Sequence, residues 1–322
     1  MQEWVLFYNE LYNLVNLEIL VLVPSPLHSK TNTMKHQILL NALILAISFF
    51  PIHHLRGQTF TTPSIDGVPI TYEVHGKGAL ALIFVHGWSC DRSYWKGQLE
   101  PFSHRYKVVA IDLAGHGASG IERKNYTIES FGADVATVVK KLNLQHVILI
   151  GHSMGGDVIA GAARQLPRDR IEGLVMVETY NKLGAGRTPK QVEAFIAKFR
   201  TDFKDSVHSF VHSMFSSNAD TALVERVAND MASAPPAIAL SALESAFSYS
   251  REITKTLLEI KLPVTAINSG NAPTDTASMQ RYGVQVVVMH GLGHFLMMED
   301  PKQFNDVLEG VVEKMTNKNK TH

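Results

Sequence analysis

The chain has 322 residues, 45% of them hydrophobic and 19% charged, with 30 basic residues against 30 acidic ones. That length supports one α/β domain, or one domain carrying a modest insertion. A formal net charge of +0 with no basic stripe excludes the electrostatic footprint of a nucleic-acid or anionic-membrane binder. Cys90 is the single cysteine, so an intramolecular disulfide is excluded, and no CxxC or His/Cys cluster points to zinc or another metal.

Residues 1–57 do not read as part of the fold. Met34 opens a short basic stretch, an apolar run from Ile38 to Phe50 and a polar exit. That is the order of a secretory signal, although the exit lacks a clean small-x-small site. The expectation is a true start at Met34, cleavage near Gly57–Gln58, and an exported (periplasmic or secreted) protein. The rival is an N-terminal anchor formed by residues 1–50, or a cytoplasmic chain. The apolar run is short for a membrane span, so no stable span is expected in the mature chain.

From Thr59 the sequence alternates strand-like and helix-like segments. A turn at Gly67-Val68-Pro69 precedes a short strand, Ile70 to His75. Continuous apolar runs follow at Ala79–Val85, ending in His86-Gly87-Trp88, and at Tyr106–Ile111, ending in Asp112. Ile128 to Leu142 has helical spacing, with Phe131, Val135, Val138, Val139 and Leu142 on or near one face. Val147–Ile150 is a strand that runs directly into Gly151-His152-Ser153-Met154-Gly155-Gly156. Ile171–Val177, Val264–Asn268 and Val284–Met289 complete the strands. Short buried runs separated by helices predict a mostly parallel central sheet flanked by helices on both faces, with the chemistry at the carboxyl ends of the strands.

The pattern breaks between residues 181 and 250. Helical spacing recurs at Val192, Phe195, Ile196 and Phe199, then at Phe203, Val207, Phe210, Val211 and Met214, before Pro235-Pro236 interrupts it. This predicts a helical cap over the strand ends, with 58–180 and 251–322 as the core; the rival is that these helices merely cover the sheet. The polar tail from Thr316 is expected to fray.

Gly151-His152-Ser153-Met154-Gly155 fits G-x-S-x-G in the context that motif requires, a strand before it and a helix-compatible stretch after it. Ser153 is the nucleophile candidate. His294, in Gly291-Leu292-Gly293-His294 after the last strand, is the candidate base. His290 lies closer to the strand end and suits the role less, while His86 and His152 suit positioning roles. The backbone N–H groups of Met154 and Trp88 are the expected oxyanion donors. The acid leaves two candidates between serine and histidine in chain order. Glu178 directly follows the strand Ile171–Val177; Asp275 arrives late after Val264–Asn268. Glu178 has the cleaner strand-end position and Asp275 stands as the alternative. Asp112 precedes the serine, so it and His116 are assigned to a structural turn.

With these residues in view, the chain resembles the α/β-hydrolase fold superfamily, in particular the capped esterase and haloperoxidase-like branch. The resemblance rests on His86-Gly87-Trp88, Asp112-Leu113-Ala114-Gly115-His116-Gly117, Gly151-His152-Ser153-Met154-Gly155-Gly156 and Gly293-His294-Phe295, and covers about residues 65–312. Dehalogenases and epoxide hydrolases of this type carry aspartate where this chain has Ser153, which argues against both. The usual G-x-x-D acid turn is replaced by Ser269-Gly270-Asn271-Ala272; some dehalogenases instead place a glutamate where Glu178 stands, which the resemblance counts in its favour.

The residues and the resemblance therefore imply a serine hydrolase cleaving an ester or related acyl bond without metal or organic cofactor, and the aromatic and alanine-rich composition of the expected cap suggests a small or medium apolar substrate. Lactone or C–C bond hydrolysis and perhydrolysis on the same triad are the enzymatic alternatives. A non-catalytic binding protein on a hydrolase scaffold is the other, favoured only by the irregular acid position. The oligomeric state is not legible.

Overall fold

The computed structural model describes residues 57–318. The signal-like run, the start at Met34 and any anchor lie outside those residues. Among the described residues no helix is long and apolar enough to cross a membrane.

Eight strands form one sheet in the order β1-β2-β4-β3-β5-β6-β7-β8. They are β1 (Gln58–Pro63), β2 (Pro69–His75), β3 (Leu80–Val85), β4 (Lys107–Ile111), β5 (His146–His152), β6 (Ile171–Val177), β7 (Val264–Ser269) and β8 (Val284–Met289). β1 and β2 pair antiparallel, and β2 runs antiparallel to β4; all remaining pairs are parallel. The central strands are buried on both faces, with Leu82, Ile83, Phe84, Val85, Ile148, Leu149 and Ile150 all fully inside. Two-sided burial is why they read as unbroken apolar runs rather than alternating ones.

Eleven α-helices lie among the described residues, nine between strands and two after β8: α1 (Lys96–Ser103), α2 (Ile128–Lys141), α3 (Met154–Ala163), α4 (Pro189–Thr201), α5 (Phe203–His212), α6 (Thr221–Ala232), α7 (Pro236–Tyr249), α8 (Ile253–Ile260), α9 (Thr276–Arg281), α10 (Leu296–Glu299) and α11 (Pro301–Lys318). The expectation of a frayed tail from Thr316 needs correcting for its first residues. α11 continues through Lys318, and the Thr316 hydroxyl donates back to the Val312 carbonyl at 3.1 Å. The edge strand β1 carried no strand signal, because four of its first five residues are exposed and it lacks an apolar alternation.

Helices α4–α7 all fall between β6 and β7, in the stretch expected to form a cap. Their inner faces interlock through Phe195, Phe199, Phe210 and Phe247, whose ring centroids lie 5.0 to 5.7 Å apart. Lys198 and Arg187 lay their cations over the outer faces of these rings, each such contact adding roughly 0.5–1 kcal/mol at an exposed site. Side-chain hydrogen bonds tie this layer to the rest of the domain. Trp88 Nε1 donates to the Ala239 carbonyl at 2.7 Å, Tyr94 Oη donates to Asp230 at 2.7 Å, and the Ser245 hydroxyl accepts from the first amide of α2, Ile128, at 2.9 Å.

Register decides what emerges where. Val85 is opposite Gly151, and His152 is opposite Val177. The residues just past β3, β5 and β6 therefore leave the sheet side by side, which brings Trp88, Ser153 and Glu178 to one edge. The turn from β5 into α3 is packed to backbone contact: a methyl added at Gly151 would collide with the Gly155 carbonyl, and one at Gly155 with the Val85 and His86 carbonyls. Backbone cannot yield as a flexible side chain can, so Gly151→Ala is expected to cost at least about 2 kcal/mol in urea unfolding. A loss below about 0.5 kcal/mol would show that the turn has slack.

Candidate active site

Ser153 sits between β5 and α3 with φ 52° and ψ −120°, a region that a residue with a side chain enters only when the surroundings force it. Its own N–H donates to the Val177 carbonyl at 2.8 Å, and Gly156 N–H donates to the Ser153 carbonyl at 2.9 Å. These bonds hold the turn closed and leave the side chain at the start of a helix. Glu178, one strand over, also has a positive φ of 52°, with its N–H bonded to the Ile267 carbonyl at 3.0 Å. The two strained residues stand at corresponding ends of adjacent strands.

Glu178 Oε2 lies 3.1 Å from His294 Nδ1. Its other oxygen accepts from the Ser269 backbone N–H, the first residue of the Ser269–Ala272 stretch that replaces the usual acid turn. Both side chains are largely shielded, at 19% and 9% exposure for His294 and Glu178. Of the two acid candidates, the structure thus brings Glu178 to the histidine. It does not bring Asp275, which caps α9 by accepting from Ser278 N–H at 3.0 Å and faces Lys182 at 3.5 Å. That cap and that lysine hold its carboxyl below the usual aspartate range, the helix-cap hydrogen bond foremost.

Ser153 and His294 line one cavity of about 170 Å³ together with Gly87, Trp88, Met154 and, from the helices between β6 and β7, Phe210 and Phe247. Gly87 approaches so closely that a Cβ there would lie 3.2 Å from the Ser153 Cβ, which sets the following amide, Trp88 N–H, beside the serine. Among the described residues neither the Trp88 nor the Met154 N–H donates to a protein acceptor. Unpaired amides at a helix start and an adjoining loop are what a developing oxyanion requires.

The neighbouring histidines are structural in geometry. His86 Nε2 accepts from Leu113 N–H at 3.0 Å while Nδ1 lies 2.8 Å from the Gly87 carbonyl, which fixes the proton on Nδ1. Burial depresses its pKa to about 4 and that of His116 to about 3, so both are neutral at pH 7. His152 Nε2 holds the backbone carbonyl of His294 at 2.9 Å, and burial keeps this imidazole well below its ordinary pKa, hence neutral and a donor there. His290 is exposed. Asp112 is fully buried and gathers the Arg92 and Ala118 amides at 2.8 Å each, with the Arg92 guanidinium beside it. It anchors the turn assigned to it rather than the cavity.

Several contributors were not legible. His294 N–H donates to the Met214 carbonyl at 2.7 Å, and Glu299 joins Gly293 N–H at 2.9 Å to the Ser216 hydroxyl at 2.7 Å. These bonds pin the histidine loop to the segment after α5, and their separation in sequence leaves no signal. His208, His212 and Glu225 also converge on the outside of α5 and α6, with ligand atoms within 4.8 Å of one another. They could hold a divalent cation, but none lines the cavity. The i, i+4 histidines were a readable signal; the glutamate from another helix was not.

The profile of the alpha/beta hydrolase family matches residues 82–307, the span that contains every residue just described. The chain belongs to the alpha/beta hydrolase family. It is similar to a non-heme chloroperoxidase of Streptomyces lividans, 34% identical over 36% of this chain and 43% of that one. A 3-oxoadipate enol-lactonase of Acinetobacter baylyi is 24% identical over 82% of this chain and 99% of its own. In fold it matches a thermophilic esterase from Thermogutta terrifontis at TM-score 0.69, 23% identity, and 80% and 99% coverage. The chain spans less than half the length of the first curated relatives it matches.

One further group lines the cavity. Asp157, a turn after Ser153 in α3, is 5% exposed and accepts a hydrogen bond from the Tyr180 hydroxyl at 2.7 Å. Burial pushes its carboxyl from an ordinary 3.8 up to about 7, with the Tyr180 bond pulling the other way. The folded state therefore holds this proton more tightly than the unfolded chain does. Stability contributed by the neutral acid is present at low pH and is lost as pH rises towards about 7. Asp157→Asn carries no such cost, so its Tm relative to the parent should rise between about pH 4 and about pH 7 and level off above that. A difference independent of pH would contradict this titration.

Proposed function

We propose that the enzyme is a serine hydrolase that cleaves an ester or related acyl bond through an acyl-enzyme. The observation that carries the reading is the Glu178–His294 contact at 3.1 Å opening on the cavity that Ser153 shares. His294 Nδ1–H donates to Glu178, which leaves Nε2 as the base facing the cavity. His294 takes the proton from Ser153 Oγ as the oxygen attacks the carbonyl carbon. The Trp88 and Met154 N–H groups receive the oxyanion, and the imidazolium then gives its proton to the leaving alcohol. Water attacks the acyl-enzyme with the same base, releasing the acid and restoring Ser153. Glu178 holds the tautomer and stabilises the imidazolium. The mainly apolar lining of Trp88, Phe210, Met214, Met231, Leu243 and Phe247 supports a small or medium apolar substrate.

A second reading, lactone hydrolysis on the same residues, is favoured by the relative named as an enol-lactonase, which aligns over 99% of its length. A lactone returns one product where an ester returns two, so product analysis separates them.

Short-chain nitrophenyl esters assayed with the full chain test the proposal. Ser153→Ala should abolish turnover. Glu178→Gln should lower kcat by roughly 10³–10⁴, as loss of the orienting carboxylate does in other triads. Asp275→Asn should stay within about twofold of the parent, because its carboxyl is occupied at the α9 cap. Full activity in Ser153→Ala, or a larger loss in Asp275→Asn than in Glu178→Gln, would overturn the assignment.

A further inference from the structure

Helix α3 is buried along its whole length, and every residue of Met154–Ala163 except Asp157 is apolar or glycine. Such a helix gains nothing for its own stability from a carboxylate, because an enclosed charge with one neutral partner carries a large desolvation cost. Among the described residues Asp157 has no cationic partner, and Tyr180 Oη is the one protein donor to its carboxyl. Burial holds the Tyr180 phenol well above its ordinary pKa, so the hydroxyl stays a donor and fixes one carboxyl oxygen in place. Asp157 and Tyr180 both line the cavity of Ser153 and His294, together with Phe210, Met214, Leu243 and Phe247. Apart from the catalytic end, the cavity's polar lining is this carboxyl with Tyr180, Thr179 and Ser250, and the rest of its lining is mainly apolar.

We propose that Asp157, oriented by Tyr180, is a specificity-determining subsite that receives a hydroxyl or amide N–H of the substrate, about one helical turn from the carbonyl attacked by Ser153. The proposal rests on the serine-hydrolase reading and refines its apolar substrate. The preferred molecule is apolar along its length and carries one hydrogen-bond donor beyond the scissile bond. Occupation satisfies the carboxyl oxygen that Tyr180 leaves free; a substrate lacking the donor buries that oxygen unpaired and is rejected for that reason. A purely structural aspartate, paired only to Tyr180, would not distinguish the two substrates.

The test is a series of ethyl alkanoates, each plain or hydroxylated at successive positions of the acyl or alcohol chain, followed by acid release. The parent should favour at least one hydroxylated member over its plain counterpart by about tenfold or more in kcat/KM, mainly through KM. Asp157→Leu should bring that ratio towards unity. Tyr180→Phe, which frees the carboxyl to turn, should lower it about fivefold, and it supplies the reading if Asp157→Leu does not fold. A parent that hydrolyses the plain esters with no hydroxyl preference, or a preference that survives both variants, overturns the subsite while leaving Ser153 in place. Failure of the folded parent to hydrolyse any member overturns the serine reading and this subsite with it.

Discussion

The constraint on which the rest depends is the backbone contact between the end of β5 and the start of α3. Gly151 and Gly155 bring two main chains so close that no side chain fits at either position, and the chain can then reverse only by placing Ser153 at φ 52°. The strain is of order 1–3 kcal/mol, supported by amide bonds to Val177 and from Gly156 and by a core that is closed on both faces of the sheet. Once that turn is set, the serine hydroxyl, the free Met154 amide and the start of a fully buried helix occupy one spot.

The other parts reach that spot by different routes. Trp88 and Glu178 arrive through parallel register, because the strands on either side of β5 end level with it. His294 arrives on a loop that register does not control, so it is fixed by hydrogen bonds instead. His152 holds its carbonyl, Met214 holds its amide, and Glu299 braces the preceding glycine against Ser216. Two of those braces come from the segment that follows α5. The helices between β6 and β7 and their connections are therefore part of what positions His294, besides supplying apolar lining of the cavity.

This division explains what could be read from the sequence. Strands buried on both sides announce themselves as apolar runs, and their ends marked His86, Asp112, Ser153 and Glu178 as unusual. The edge strand β1 is exposed and left no pattern. Glu178 and Asp275 were both admissible on chain order, and only the fold shows that one meets His294 while the other caps α9. Met214, Ser216 and Glu299 act through contacts far apart in sequence, which no local pattern encodes. Asp157 did leave a trace, one carboxylate in an otherwise apolar and glycine-rich helix, but its meaning depends on Tyr180 and on the cavity.

The most direct test of the account is a crystal structure of the enzyme after reaction with a small alkyl fluorophosphonate, whose tetrahedral adduct imitates the acyl-transfer intermediate. The account predicts a phosphorus bonded to Ser153 Oγ, with the phosphoryl oxygen about 2.7–3.1 Å from both the Trp88 and Met154 nitrogens and His294 still joined to Glu178. An adduct on another residue, or a phosphoryl oxygen turned away from those two amides, would contradict it.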